Sequence, residues 1–130
     1  MNAPSSIRQI SMLTLVVSGL LLNSCYYINR HNGSGHVTKV EHPASGFNKL
    51  DLSIVFDAVI IPSSFEKVIV ETDDNLQQEV QVSMNDSTLD IHMKHNSNIG
   101  RHSAGKIYIY TKGIKSLTNS SVGNLTNEGT

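Results

Sequence analysis

Cys25 is the only cysteine in a chain of 130 residues, and it directly follows the apolar stretch that ends in Leu22-Asn23-Ser24. A thiolate is the strongest sulfur nucleophile a protein offers, so its placement there is open to alkylation. A lone thiol has no disulfide partner in its own chain. The six histidines raise the question of a metal site. His92 and His95 are expected on opposite faces of a strand, which prevents joint chelation. His31, His36 and His42 lie near the start of the domain and His102 falls in a polar loop, so no metal site and no cofactor are expected. Asp51 and Asp57 read as sharing one strand face at a separation of ~20 Å, too far for a pair of glycosidase carboxylates. Tyr108 and Tyr110 share a face opposite Ile107 and Ile109. Such a pair stacks on a sugar or marks a partner surface, with packing against a loop or neighbouring strand as the structural alternative. No Gly-x-Ser-x-Gly elbow, phosphate loop or dinucleotide motif occurs, so no catalytic residues are assigned.

The stretch Ile10–Leu22 is mostly Leu, Val, Ile and Met, with Arg8 before it. That pattern fits the apolar region of a secretory signal and is too short to span a bilayer. A branched aliphatic residue, a spacer, a small residue and then Cys resembles the lipobox of bacterial lipoproteins, with Asn23 departing from the usual small residue. The resemblance implies cleavage between Ser24 and Cys25, diacylglycerol on the Cys25 sulfur and a membrane as partner. A plain secretory signal is the alternative. Residues 1–24 are thus expected to be a signal peptide, 25–35 a lipidated tether and 36–130 the folded domain.

Net charge is −1, there is no tryptophan and aromatics make up 5% of residues, so no nucleic-acid partner is expected. The dominant period beyond His36 is two. Leu50, Leu52, Ile54, Phe56, Ala58 and Ile60 are apolar at alternate positions, which predicts one long strand or two collinear ones with a buried face. Lys67–Thr72 predicts a strand burying Val68 and Val70, followed by a turn at Asp73-Asp74-Asn75 and a helical turn over 75–79. Val80, Val82 and Met84 pair in a hairpin with Leu89, Ile91 and Met93 around Asn85-Asp86. A polar loop over 96–105 leads to the strand Lys106–Thr111. From Gly113 to Leu125 isolated aliphatics are spaced by small polar residues, as in solenoid turns, and the pattern stops unfinished at Thr130. The fold class is all-β, a short-stranded β-solenoid or β-helix-like domain truncated at its C-terminus, with a β-sandwich as the alternative.

Gly33 and Gly35, Gly46-Phe47 leading to Leu50, Val68-Ile69-Val70-Glu71 followed by Asp74-Asn75-Leu76, Thr88-Leu89-Asp90-Ile91, Lys106-Ile107-Tyr108-Ile109, Gly113-Ile114-Lys115 and Ser120-Ser121-Val122-Gly123-Asn124-Leu125 occur in that order. Their succession resembles the "putative auto-transporter adhesin, head GIN domain" family, found on lipoproteins of Bacteroidota. Lys115 stands where that family's tripeptide carries Asn. The resemblance implies a β-helix-like fold, a place on the outer membrane in either leaflet, and adhesion to a glycan or cell-surface protein without catalysis. Two other readings stay open: a fragment of a β-helical carbohydrate-active enzyme, and a periplasmic scaffold or signalling partner.

Overall fold

The structure is a computed structural model that describes residues 30–129. Its strands in chain order are β1 (Val37–Pro43), β2 (Lys49–Ser53), β3 (Asp57–Pro62), β4 (Lys67–Asp73), β5 (Val80–Asn85), β6 (Thr88–Met93), β7 (Gly105–Thr111), β8 (Ser116–Asn119) and β9 (Leu125–Asn127). A 3₁₀ turn, Asp74–Glu79, joins β4 to β5. One sheet runs β1-β4-β7-β3-β9 and the other β5-β6-β2-β8. The chain is all-β.

Period-two patterning decides what faces inward. Leu50 and Leu52 on β2, Leu89 and Ile91 on β6, Val68 and Val70 on β4, and Ile107 and Ile109 on β7 are all essentially fully buried. They meet in a single core cluster between the sheets. Each such side chain contributes about 1.5–3 kcal/mol by leaving water. The ladders put like over like: Leu50 pairs with Leu89 on one side and Leu117 on the other, while Ala58 pairs with Ile107 and with Leu125.

These four ladders are parallel, whereas β1–β4, β4–β7 and β5–β6 pair antiparallel. Parallel pairing already involves β2, ahead of the Gly113–Leu125 tail. Chain order and spatial order also differ. The β6–β7 layer lies between β2–β3 and the flanking strands β5 and β4, which pair with it antiparallel.

The alternating run Leu50–Ile60 is not one long strand or two collinear ones. β2 and β3 belong to different sheets, and the chain bends between them. Ile54 and Phe56, each 2% exposed, keep the inward parity through the bend, which is why the pattern reads as unbroken. The bend forces a tight approach: a Cβ on Gly105 would lie 2.2 Å from Phe56 Cδ1. The β5–β6 hairpin forms as expected, with Asn85 opposite Thr88 and Asp86 at φ 53, a conformation Asp tolerates in turns.

Candidate functional site

Cys25 and Ser24 lie outside the described residues. Among the described residues no helix is long and apolar enough to cross a membrane. Arg30–Gly35, the described part of the segment expected as a tether, is hydrogen-bonded to the domain. Asn75 Nδ2 donates to Asn32 O at 2.8 Å, Ser34 N–H donates to Asn75 Oδ1 at 2.9 Å, and the Ser34 hydroxyl donates to Asp74 Oδ1. That last bond holds the Asp74 carboxyl below its ordinary pKa.

Tyr108 and Tyr110 do share a face, and the structure shows what surrounds them. Ile107 and Ile109 occupy the core-facing positions of β7, so both tyrosines project from the outer face of the five-stranded sheet. The register places Ile69 and Val59 beside Tyr108, and Lys67 and Ile61 beside Tyr110. Phe65, 49% exposed in the β3–β4 connection, stacks on Tyr110 with ring centroids 5.3 Å apart. Both tyrosines are half-buried.

Lysines lie over these rings. Lys67 Nζ is 5.0 Å from the Phe65 centroid and 5.3 Å from that of Tyr110. Lys106 and Lys39 approach the Tyr108 ring at 5.2 and 5.7 Å. The Lys67 and Lys106 contacts are each worth about 0.5–1 kcal/mol. Carboxylates from β1 and β4 complete the arrangement: Lys39 pairs with Glu71 at 3.2 Å and Lys67 with Glu41 at 3.9 Å. The Glu71 hydrogen bond holds the Lys39 pKa above its ordinary value. The result is a flat aromatic and aliphatic strip with charges at its margins. The Tyr108 hydroxyl donates to Glu71 Oε1 at 3.4 Å, and the exposed ring faces are of the kind that stacks on a planar or ring-shaped ligand.

The other pairings change on folding. Asp51 and Asp57 do not share a strand face, because β2 and β3 lie in different sheets. Asp57 Oδ1 accepts from Asn124 N–H at 2.8 Å. Asp51 instead stands in register with Asp90 on the parallel strand β6, a neighbour no single-strand reading could find. Asp90 in turn contacts His92 Nδ1 at 3.2 Å. His95 lies beyond the end of β6, in a turn rather than on a strand face. Among the described residues no group of three or more His, Cys, Asp or Glu is placed to hold a metal ion. Also absent from the sequence reading is a polar cavity where Arg30 meets Arg101 and His102. Its walls come from segments about 70 residues apart, Arg30–Gly33 and Gly100–His102, so no local pattern in the sequence pointed to it.

A family model described as "Putative auto-transporter adhesin, head GIN domain" matches residues 46–130. Gly33 and Gly35 lie before that span. Among solved structures, the chain is similar to a "putative adhesin" from Bacteroides fragilis NCTC 9343, with 20% identity and a TM-score of 0.69 over 73% of this chain and 44% of that one. It is similar to a "putative adhesin" from Parabacteroides merdae ATCC 43184, with 19% identity and a TM-score of 0.65 over 77% and 42%. A "putative lipid binding protein" from Parabacteroides distasonis ATCC 8503 matches with 23% identity and a TM-score of 0.61 over 70% and 40%. The chain therefore spans less than half the length of each of these structures. At such identities the likeness is one of fold. No curated protein matches the chain.

Proposed function

Because the chain belongs to the "Putative auto-transporter adhesin, head GIN domain" family, we propose that it is a non-catalytic binding protein of the cell envelope, held to the outer membrane by lipid on Cys25. The observation that carries the binding role is the outer face of β3, β4 and β7. Tyr108, Tyr110 and Phe65 form a half-buried aromatic strip there, with lysines over the rings. Ring-shaped sugars stack on such faces through their C–H groups, while lysines and glutamates at the margin bond to hydroxyls. A glycan is the ligand this chemistry favours. A cell-surface protein is the second reading, favoured by the aliphatic neighbours Ile61 and Ile69.

The lipid anchor is supported by the position of Cys25 after Leu22-Asn23-Ser24. Two or more acyl chains hold a protein on a membrane stably, where one does not. Growth with labelled fatty acid tests this: the wild type takes up label, and Cys25→Ala does not and keeps its leader. Label in the mutant would remove the anchor. The binding role is tested on a glycan array with the wild type, Tyr108→Ala and Tyr110→Ala. Specific retention that either substitution reduces supports glycan adhesion. Retention unchanged in both would exclude this face.

A further inference from the structure

Where the described residues begin, the chain folds onto the β6–β7 loop. His31 pairs with Ile99 as an isolated parallel bridge. His31 N–H donates to Asn98 O at 2.7 Å, Gly100 N–H to His31 O at 2.9 Å and Gly33 N–H to Arg101 O at 2.7 Å. Arg101 N–H donates to Asn32 Oδ1 at 3.0 Å. These bonds gather Arg30, Asn32, Gly33, Gly100, Arg101 and His102 around an open cavity of about 460 Å³. The glycine is needed here: a Cβ on Gly100 would lie 2.2 Å from Asn32 Oδ1 and 3.2 Å from Arg30 Cβ.

Among the described residues, those that line the cavity include two arginines and no carboxylate. Neither arginine belongs to an ion pair among the described residues, and residues 1–29 contain no Asp or Glu. Asp73, fully buried, sits against Gly33; its Oδ1 has no hydrogen-bond partner among the described residues, while its Oδ2 accepts from Ser103 N–H at 2.9 Å. It therefore ties down the loop. His102 is fixed too, its ring edge-on to Phe56 at 5.4 Å. Its Nδ1 is 3.1 Å from Gly100 O, which makes Nδ1–H the donor to that carbonyl.

We propose that this cavity is a phosphate-binding site. Two guanidiniums present planar forks of N–H donors, and a phosphate has enough oxygens to accept from both at once, where a carboxylate has only two. The phosphate can be free or part of a lipid headgroup. The lipid source rests on the anchor reading: Arg30 follows Cys25 by a stretch that spans at most ~18 Å however it is folded. Lipid on Cys25 would thus keep the cavity within reach of headgroups. The cavity chemistry itself is independent of the anchor.

The test uses the purified full chain in neutral detergent, titrated with inorganic phosphate and, separately, with short-chain phosphatidylglycerol. Binding is followed by the amide resonances of Gly33, Gly100 and Arg101. Saturable shifts confined to residues 30–33 and 98–103 are expected. Arg30→Gln and Arg101→Gln should each weaken binding about tenfold, the loss of one charge-assisted hydrogen bond. Both side chains are exposed, so the variants should fold as the wild type does. Tighter saturation by phosphatidylglycerol assigns the lipid source, and tighter saturation by phosphate assigns the free ion. No saturation by either ligand on the order of 10 mM overturns the site, as does unchanged affinity in both glutamine variants. Fatty-acid labelling of the same preparation reads the anchor separately. An unlabelled protein that still binds phosphate loses the anchor and keeps the site.

Discussion

Gly105→Ala is the substitution whose cost follows most directly from the structure. The new methyl carbon would stand 2.2 Å from Phe56 Cδ1 and 2.9 Å from both Cε1 and Cγ. Ordinary carbon contacts lie at about 3.5–4.0 Å, so the ring must retreat by more than an ångström. Phe56 is 2% exposed at the bend between the sheets and belongs to the packed core cluster. Overpacking of this kind costs about 1–3 kcal/mol. Phe56→Val removes the colliding atoms and costs about 3 kcal/mol through the cavity it leaves. If the collision is the cause, the double variant is not the sum of the two. The added methyl then fills part of the cavity, and the double should resemble Phe56→Val alone, a coupling of about 1–3 kcal/mol. Urea unfolding of the four proteins of this cycle measures it. Additive costs, or a Gly105→Ala protein within ~0.5 kcal/mol of wild type, would refute the packing argument. His102 rests edge-on against the same ring, so Gly105→Ala should also shift the His102 ring resonances.

Three other outcomes are expected. Tyr110→Ala removes the stack on Phe65 and the ring beneath Lys67; it should lower stability by about 0.5–1.5 kcal/mol beyond the lost burial and weaken retention on the glycan array. His42 has a buried Nε2 without a hydrogen-bond partner, and burial pushes its pKa below the ordinary 6.5. The unfolded chain therefore binds this proton more readily: the stability is intact above pH 6.5 and falls as pH drops through that value toward the lowered folded one. His42→Leu should flatten that acid-side slope in urea midpoints measured on both sides of 6.5, and an unchanged slope would discount His42. Asn75→Ala deletes the side-chain bridge to Asn32 O and Ser34 N–H; hydrogen exchange at Ser34 should then quicken about tenfold, corresponding to a local loss near 1–2 kcal/mol.

The strands were readable because side-chain alternation is a local property. Val68 and Val70, or Ile107 and Ile109, need only their own strand to face one way. The hairpin at Asn85-Asp86 was readable for the same reason, its partners being adjacent in the chain. The bend at Ile54–Phe56 was not, since the inward parity passes through it unbroken. The tyrosine pair was legible on β7, but Phe65, Lys39 and Lys67 reach those rings from other segments.

What the residues alone determined is the set of inward faces, the all-β class, the family's ordered motifs and the thiol after an apolar stretch. Each depends on neighbours a few positions apart, where covalent geometry dictates which way a side chain points. Only the tertiary structure decided which strands lie side by side. Strand β6 settles against β2 in parallel, bringing Asp90 beside Asp51, and β7 settles between β3 and β4, surrounding its tyrosines. The backbone hydrogen bonds of Gly33 and Gly100 likewise bring Arg30 to Arg101. Parallel neighbours are joined by long connections, and backbone hydrogen bonds are blind to residue type. Their pairing is therefore selected by the shape of the shared core, which no single segment contains.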